Sequence, residues 1–396
     1  MKPYTYQEQI SSDALEILRE EGLAYLSMEE RTGKTLTAIL VAEKSLAENV
    51  LVVTKKKALE GWEETFRAFN TTKNYCLMNY HKVAKFAHSK YDLVILDEAH
   101  NYISAFPKAG KLWKDLKPVC RGKPILYMSA TPYAQGPQML YHQFALSSWS
   151  PWKKHTNFYR WFELYGLPYT KPIYGRDVKQ YDRCDKELVL STVEHLFITK
   201  TRAELGFAHE PEDKVHYIQL GETVRKLYNT LLQDELAILD IGDLVCDSAS
   251  KLRTSLHQLE GGTIKLNDKG YSLDNCEKIE YILDNFGDNE GLVIMYNFIQ
   301  ERVKLEEFFK NATILQATSY AEGVDLHKFD NLVIYSQDYS TARHTQRRAR
   351  QCNKKRDRPI TVHYLLVKKA ISEQVYKTVS VNKKNYVDSV FQRSVL

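Results

Sequence analysis

The stretch LAYLSMEERTGKT, residues 23–35, contains the feature that decides the fold. Its apolar residues 23–26 predict a buried strand, and a helix is predicted over about residues 35–47. A loop between a strand and a helix binds phosphate through backbone N–H groups, a lysine charge and a hydroxyl that holds Mg²⁺. Gly33, Lys34 and Thr35 supply these groups. The full pattern has a second glycine five residues before Gly33, where this chain has Met28, so the loop alone is weak support for a nucleotide site.

Two acidic residues follow the predicted strand at residues 93–96, where the sequence reads DEAH from Asp97 to His100. Ligands of doubly wound sheets bind at the carboxyl ends of the strands. There, Asp97 would hold Mg²⁺, and Glu98 would orient and deprotonate the attacking water. The alternative is a pair of surface carboxylates at the start of a helix, where the dipole favours them. The phosphate loop upstream on the same predicted sheet favours the catalytic interpretation.

A third motif, SATP, runs from Ser129 to Pro132 and follows the predicted strand at residues 125–128. By itself, such a sequence indicates no more than a turn or the start of a helix. It is nevertheless the third polar motif in order at a strand end, and chance rarely produces such a series.

Short apolar segments alternate with helix-like segments in two parts of the chain, which predicts an α/β fold with two doubly wound parallel sheets. We expect lobe 1 at residues 1–140 and lobe 2 at residues 271–396. Residues 141–270 are predicted to be a mostly helical, partly aromatic insertion and linker that can include the start of lobe 2. The predicted strands of lobe 1 are residues 23–26, 50–53, 93–96 and 125–128, and those of lobe 2 are residues 292–295, 313–315, 332–335 and 361–366.

The composition is that of a globular protein of more than one domain. The chain has 396 residues, of which 43% are hydrophobic and 27% charged, with a net charge of +5; this length exceeds that of one ordinary core. Its six cysteines include no C-x-x-C pair, which argues against a disulfide framework and a zinc site. Since the sequence also lacks a signal peptide and a membrane-length apolar run, we expect a soluble cytoplasmic protein without membrane contact.

Two segments allow alternative interpretations. Residues 343–358 contain eight lysines and arginines and one acid, so they predict either a solvated face or a surface that contacts phosphate. The segment from Trp149 to Phe162 is rich in aromatic residues, which either stack on nucleic-acid bases or form a local core.

In lobe 1 these motifs resemble those of superfamily 2 helicases, within them the Swi/Snf-like branch and especially short bacteriophage-encoded DNA helicases. The opening PYTYQEQI resembles the Q motif, MEERTGKT resembles motif I, and LVVTKKKALEGWEETF resembles motif Ia. LMNYHKV is similar to the segment that precedes the DEAH strand, and Arg31 replaces a commoner glycine, as in phage members. The resemblance implies nucleotide contacts from Tyr6, Gln7, Arg31, Thr32, Gly33, Lys34 and Thr35, with Gln7 at the adenine edge, and DNA contacts from Thr54, Lys55 and Tyr80.

In lobe 2, VIMYNF resembles motif IV, ATSYAEGVDL motif V and QRRARQCNKK motif VI. The resemblance implies that Gly323 and Asp325 approach the nucleotide, while Asn297 and Thr318 contact DNA. Gln346, Arg350 and Pro359 fit the spacing of motif VI, but Asn353 stands where the family has a second arginine. Arg350 is therefore the expected arginine finger, with Arg347 as a substitute.

Together the motifs imply an ATP-dependent DNA helicase or translocase with two RecA-like lobes, which binds Mg²⁺-ATP between them. Lys34, Thr35, Asp97 and Glu98 would act on the nucleotide, and His100, Ser129, Thr131 and Gln346 would couple hydrolysis to movement. We expect a monomer that acts on double-stranded or branched DNA, in the host cytoplasm if it is phage-encoded. Two alternatives remain: an RNA helicase, and a non-hydrolysing DNA-binding protein of helicase ancestry.

Overall fold

The structure is a computed structural model, and it describes residues 1–86, 90–173, 176–317, 326–388 and 390–393. The chain divides into two compact units, Met1–Gly206 and Phe207–Leu396. Each contains one parallel sheet flanked by helices, so the predicted fold class, two RecA-like α/β lobes, is confirmed.

Unit 1 is built on a six-stranded parallel sheet in the order β3-β2-β4-β5-β1-β8. Its strands are β1 (Leu23–Met28), β2 (Asn49–Thr54), β3 (Asn74–Asn79), β4 (Leu93–Asp97), β5 (Ile125–Ser129), β6 (Tyr169–Ile173), β7 (Arg176–Gln180) and β8 (Phe197–Lys200), of which β6 and β7 form a separate antiparallel hairpin. Its helices are α1 (Thr5–Glu21), α2 (Lys34–Lys44), α3 (Leu59–Phe69), α4 (His100–Ile103), α5 (Lys111–Cys120), α6 (Leu140–Ala145), α7 (Phe158–Tyr165) and α8 (Lys186–Ser191).

The central strands of unit 1 are apolar almost throughout because helices cover both faces of the sheet. All five residues of β4 and of β5 are buried. Strand β5 lies between β1 and β4, so the ends of these three strands are neighbours. The phosphate loop, the DEAH motif and the SATP motif follow these strands, and the parallel sheet therefore brings the three motifs to one edge.

The aromatic segment of unit 1 is mainly core. Trp152, Phe158, Trp161 and Phe162 are each at most 3% exposed and pack with the helices that cover the sheet. These four side chains form a local core, because rings buried in this way cannot stack on nucleic-acid bases. Trp149 remains exposed beside them.

Unit 2 is built on a five-stranded parallel sheet in the order β15-β14-β16-β17-β9. Its strands are β9 (Pro211–Ile218), β10 (Leu236–Leu239), β11 (Gly242–Val245), β12 (Thr263–Leu266), β13 (Lys269–Ser272), β14 (Leu292–Tyr296), β15 (Thr313–Gln316), β16 (Asn331–Ile334) and β17 (Ile360–Val367). Its helices are α9 (Glu222–Asp234), α10 (Ala249–Glu260), α11 (Glu277–Phe286), α12 (Ile299–Phe308), α13 (Thr341–Arg348) and α14 (Ile371–Tyr376).

The segment at residues 141–270 is divided between the two units. Besides helices, it contains three antiparallel hairpins or parts of them and two strands, β8 and β9, that join the edges of the parallel sheets. Both strands lie at sheet edges and are mostly exposed or half-buried, so they lack the continuous apolar run that marks the central strands. No helix of the described residues is long and apolar enough to cross a membrane.

Candidate functional site

The loop between β1 and α2 requires glycine at residue 33. Gly33 caps α2 in the left-handed region at φ 81°, which glycine adopts without steric cost. A Cβ atom at this position would lie 2.4 Å from Nε2 of Gln7. The geometry therefore explains why a glycine precedes Lys34 at the start of the helix, the position where a helix offers N–H groups to a phosphate.

Two residues of the predicted Q motif support this loop from α1. The hydroxyl of Tyr6 donates a hydrogen bond to the carbonyl of Thr32 at 2.9 Å, and Nε2 of Gln7 donates to the carbonyl of Gly33 at 3.1 Å. Burial raises the pKa of Tyr6 to about 12, so the hydroxyl keeps its proton. Gln7 also accepts from the backbone N–H of Tyr4, and it is 3% exposed. Both side chains thus hold the phosphate loop in place, while the predicted adenine contact remains a prediction.

The Lys34 side chain lies inside its own loop. Its Nζ atom donates to the carbonyls of Met28 at 2.8 Å and Glu29 at 3.0 Å. Met28 ends β1 with its side chain fully buried, so the residue that replaces the expected glycine belongs to the core and contributes only its carbonyl here. Thr35, the predicted magnesium ligand, is the second residue of α2. Arg31 adopts φ 67°, a left-handed conformation uncommon outside glycine.

The Asp97 carboxylate at the end of β4 is held by two buried side chains. Its Oδ2 atom accepts from the hydroxyl of Thr54 at 2.6 Å and from Nε1 of Trp62 at 3.1 Å. The hydroxyl of Tyr80 donates to the Asp97 carbonyl at 2.8 Å. Thr54 and Tyr80, which the resemblance places on DNA, are 0% and 1% exposed. Their burial favours a role in positioning Asp97 over direct contact of these two side chains with DNA. Lys55 follows Thr54 and is partly exposed.

Glu98 has the properties of a general base. Its backbone adopts φ 51°, and such left-handed conformations in non-glycine residues concentrate at functional sites. Burial, together with the neighbouring Asp97 charge, raises the pKa of Glu98 to about 7, although Lys34 and Lys55 act in the opposite direction. A carboxylate that titrates near neutral pH accepts a proton more readily than an ordinary glutamate.

A hydrogen-bonded chain joins Glu98 to the SATP motif. The hydroxyl of Ser129 donates to Oε2 of Glu98 at 3.1 Å and lies 2.8 Å from Nδ1 of His100. Burial lowers the pKa of His100 to about 4, so its ring is neutral at pH 7. Because the hydroxyl of Ser129 donates its proton to Glu98, it accepts a hydrogen bond from Nδ1–H of His100. The other ring nitrogen of His100, Nε2, then accepts from the hydroxyl of Thr131 at 3.4 Å. Three of the four residues predicted to couple hydrolysis to movement, His100, Ser129 and Thr131, therefore contact one another.

The residues at this edge fit Mg²⁺ and a phosphate chain. Among the residues that the structure describes, both side chains that donate to the Asp97 carboxylate do so to Oδ2, and Oδ1 is the oxygen that could take a water molecule or a metal. Within the described residues, no group of three or more His, Cys, Asp or Glu side chains could hold a metal. Mg²⁺ fits such a site because it keeps several waters and takes one or two carboxylates together with phosphate oxygens.

The sequence interpretation missed Arg202, which follows β8 and contacts the phosphate loop. Its backbone N–H donates to Glu29 at 2.7 Å, and its guanidinium donates to the carbonyl of Glu30 at 3.2 Å. The same guanidinium pairs with the carboxylates of Glu29 at 3.7 Å and Glu30 at 3.8 Å, while Arg202 itself is 6% exposed. The sequence carries no signal for this contact, because 172 residues separate Arg202 from Glu30.

We expect Arg202→Gln to raise the KM for ATP about tenfold while changing kcat less, because the loop that binds phosphate loses its fixed conformation. The measurement is steady-state phosphate release over a range of ATP concentrations. Arg67→Gln is the matched control, since Arg67 pairs with Glu63 at 3.9 Å on an exposed helix face. An unchanged KM in Arg202→Gln, or an equal change in the control, contradicts this positioning role.

In unit 2 the two candidate arginines differ in their surroundings. Arg347 on α13 is 2% exposed, donates to the carbonyl of Ala317 at 3.1 Å and forms a buried ion pair with Asp338. Its guanidinium therefore serves the interior of unit 2. Arg350 is 8% exposed and follows α13 in a single helical turn. The buried ion pair with Asp338 argues against Arg347 as the finger, while the predicted role of Arg350, which is itself buried, remains a prediction.

Of the other site residues predicted in lobe 2, the structure describes two, Gln346 and Asn297. Gln346 is half-buried on α13, and Asn297 follows β14, where its backbone N–H donates to Ser336 at 2.7 Å. Thr318, Gly323 and Asp325 lie outside the described residues, so their predicted roles remain predictions.

Most basic side chains of residues 343–358 form ion pairs or hydrogen bonds within unit 2. Its ion pairs join Arg343 and Arg347 to Asp338, Arg348 to Asp213, and Arg358 to Asp330. Arg356 is 6% exposed and donates to several backbone carbonyls. Much of this charge therefore stabilises unit 2, so the run is not simply a solvated face, while its predicted contact with phosphate remains a prediction.

Among solved structures, the chain is similar to one described as the Sulfolobus solfataricus SWI2/SNF2 ATPase core domain. The two chains are 15% identical and align over 98% of this chain and 93% of that one, with a TM-score of 0.44. At that TM-score the likeness adds nothing to the sheet topology described above. No family model and no curated protein matches the sequence.

Proposed function

We propose that the protein is an ATP-dependent DNA helicase or translocase of superfamily 2, with a Swi/Snf-like core. The observation that carries the proposal is the single edge of the unit 1 sheet where Lys34, Asp97 and Glu98 meet a hydrogen-bonded chain to Ser129 and His100. A lysine in a phosphate loop, a magnesium-binding aspartate and a glutamate with a pKa of about 7 are the parts that phosphoryl transfer to water requires.

Each residue of this edge has a proposed task. Lys34 and the N–H groups at the start of α2 bind the phosphate chain, while Thr35 and Asp97 hold Mg²⁺. Bound Mg²⁺ neutralises charge that develops on the phosphate oxygens during transfer. Glu98 accepts the proton of the attacking water, and Arg350 of unit 2 stabilises the charge on the transferred group.

The hydrogen-bonded chain from Glu98 gives a route by which hydrolysis can affect the rest of unit 1. Ser129 touches both Glu98 and His100, and it also accepts from the backbone N–H of Thr131. A change in the charge of Glu98 therefore alters the hydrogen bonds of the SATP segment directly. We propose this segment as the element that couples the state of the nucleotide to the grip on DNA.

A non-hydrolysing protein is the second candidate, and Asn353 is the residue that motivates it. The Asn353 side chain accepts a hydrogen bond from the backbone N–H of Lys355 at 2.9 Å, so it ends a turn and supplies no charge. Hydrolysis then depends on Arg350 alone among the motif VI positions. The complete set of Lys34, Thr35, Asp97 and Glu98 favours an active ATPase.

Phosphate release with DNA and RNA tests the proposal and separates the candidates. We expect single-stranded, duplex, forked or four-way DNA to stimulate release more than RNA of the same sequence, with the largest effect from duplex or branched forms. Greater stimulation by RNA would support an RNA helicase, and no release with any nucleic acid would support the non-hydrolysing alternative. Strand displacement on the forked substrate then distinguishes unwinding from translocation along duplex. A phage origin, a cytoplasmic location and a monomeric state remain predictions.

A further inference from the structure

Positive charge is concentrated in a part of unit 1 whose basic residues lie outside the motifs. Residues 101–160 contain seven lysines and two arginines but a single acid, Asp115, so this segment alone exceeds the net charge of +5 carried by the whole chain. The segment consists mainly of α5, α6 and the loop between α6 and α7.

Most of this charge faces solvent. Seven of its basic side chains are exposed, and Arg160 is the one that pairs with an acid, Glu163. The other six make no ion pair or hydrogen bond with any part of the chain that the structure describes, and they are Lys108, Lys111, Lys114, Arg121, Lys153 and Lys154. They differ in this from the basic run of unit 2, where four arginines pair with aspartates. A surface with this much uncompensated charge attracts a polyanion.

Helix α5 arranges its part of the charge in a line. Lys111, Lys114 and Arg121 lie at spacings of three and seven residues, so they share one face of the helix. The opposite face contacts the core through Leu116 and Val119. The line is about 15 Å long at 1.5 Å per residue, and one DNA strand carries a phosphate about every 3.4 Å of helix axis. The charged face therefore matches the length of about four phosphates.

A groove continues this face toward the loop after α6. The groove has a volume of about 590 Å³ and is lined by Lys108, Lys114, Lys117 and Lys153 together with Trp113 and Tyr159. Lys117 is fixed by hydrogen bonds to the carbonyls of Ala145 and Leu146 and lies over the ring of Trp113. The walls of the groove are thus anchored, while the exposed lysines at its rim are free to contact a ligand.

We infer that the α5 face and this groove form a second surface for nucleic acid, which binds the phosphate backbone of duplex DNA beyond the motor site. The inference rests on the proposed function, because it takes the DNA on which the motor acts as the ligand. An anionic membrane is the less suitable partner, because among the described residues α5 carries no exposed large apolar side chain and the groove carries one, Tyr159 at 38% exposure. Helices that lie on membranes insert a whole face of such side chains. Phosphate contacts carry no sequence information, so binding at this surface is independent of sequence.

The test compares two triple variants of the full chain. Lys111→Gln/Lys114→Gln/Arg121→Gln removes the charges of the α5 face, and Lys186→Gln/Lys251→Gln/Lys368→Gln removes three exposed lysines elsewhere. The measurement is the affinity for a fluorescein-labelled duplex as a function of salt concentration, with circular dichroism melting to confirm that both variants fold. We expect the α5 variant to bind about tenfold more weakly or worse near 0.1 M salt, and its slope of log K against log salt to be smaller by about two to three. The control should bind like the wild type.

The outcomes separate this inference from the proposed function. If the wild type binds duplex and its ATPase is stimulated, while the α5 variant keeps the wild-type affinity and salt slope, the second surface is contradicted and the motor stands. If the wild type neither hydrolyses ATP nor binds nucleic acid, the proposed function fails and this inference fails with it. Binding of the wild type to phosphatidylserine vesicles that is lost in the α5 variant, with duplex binding unchanged, would assign the surface to membranes and overturn the inference.

Discussion

Glu98→Gln is expected to lower ATP turnover by about 10³-fold or more while leaving the binding of nucleotide and DNA nearly unchanged. Glutamine keeps the size of the side chain and can still accept from Ser129, whose hydroxyl lies 3.1 Å from Oε2 of Glu98. It cannot accept the proton of the attacking water, so the loss falls on kcat. Single-turnover phosphate release, together with binding of a fluorescent ATP analogue, separates the chemical step from binding. Turnover within tenfold of the wild type would remove Glu98 from the catalytic role.

Glu98→Gln should also change the free energy of unfolding, and the raised pKa of Glu98 determines the direction of that change. Burial beside Asp97 raises the pKa of Glu98 to about 7 in the folded chain, from an ordinary value of 4.5. The unfolded chain therefore loses this proton at a lower pH than the folded chain, and the stability of unit 1 falls as the pH rises from about 4.5 to about 7. At pH 8, Glu98→Gln removes a buried charge beside Asp97 and should stabilise the fold by up to about 3 kcal/mol. At pH 4 the two proteins should melt at similar temperatures.

The titration of Glu98 should also appear in the pH dependence of ATP hydrolysis by the wild type. Because Glu98 must be ionised to act as a base, kcat/KM for ATP is expected to rise with pH and to level off above an apparent pKa near 7. A profile of kcat/KM that is flat from about pH 5 to about pH 8 would contradict the role of Glu98 as the base.

Substitution of Arg347 is expected to lower mainly the stability of unit 2, and substitution of Arg350 mainly the rate of hydrolysis. Arg347→Gln leaves Asp338, which is 3% exposed, with only the half-exposed Arg343 as an ion-pair partner, and should destabilise unit 2 by up to about 3 kcal/mol. Arg350→Gln should lower kcat by about 10³-fold with a smaller effect on melting. The experiment measures thermal unfolding and phosphate release for both variants under one condition.

Arg348→Gln is the control for this pair. Arg348 lies on the same helical segment and pairs with Asp213 at 2.6 Å, at a position that is partly exposed. Its loss should therefore cost less stability than the loss of Arg347 and less activity than the loss of Arg350. Full activity in Arg350→Gln, or a loss of activity in Arg347→Gln without a loss of stability, would reverse the assignment of the finger.

The central part of the fold follows from the sequence for a simple physical reason. A strand buried on both faces of a parallel sheet must be apolar along its whole length, so β1, β4 and β5 appear as short apolar runs. The polar motif directly after each run then falls at the carboxyl edge of the sheet, where ligands bind. The cluster of Lys34, Asp97 and Glu98 was therefore predictable from order and spacing alone.

The supports of that cluster were not predictable in the same way. Thr54 and Tyr80 stand in segments that resemble DNA-contacting motifs, yet their hydroxyls bind Asp97 inside the core. Their burial depends on how neighbouring strands pair, and a motif does not report pairing. Arg202 reaches the phosphate loop because β8 pairs with β1, and β8 lacks the apolar run that would have marked it as a strand of this sheet.

The charge pattern was misleading for a related reason. A run of basic residues such as residues 343–358 is conspicuous in the sequence, but ion pairs with Asp213, Asp330 and Asp338 use much of it. The lysines of residues 101–160 are spread over a longer segment and draw less attention. The fold brings them to one surface because α5 has a single charged face and the loop after α6 lies beside it.

The most direct test of the proposed motor is phosphate release by the wild type and by Lys34→Ala, each with Mg²⁺-ATP in the presence and absence of duplex DNA. Lys34 lies in the phosphate loop, where its Nζ atom is held by the carbonyls of Met28 and Glu29, and its removal takes away the positive charge that binds the phosphate chain. We predict DNA-stimulated release by the wild type and none above background by Lys34→Ala, with DNA binding largely retained in the variant. Wild-type-like release by Lys34→Ala would contradict the assignment of the site.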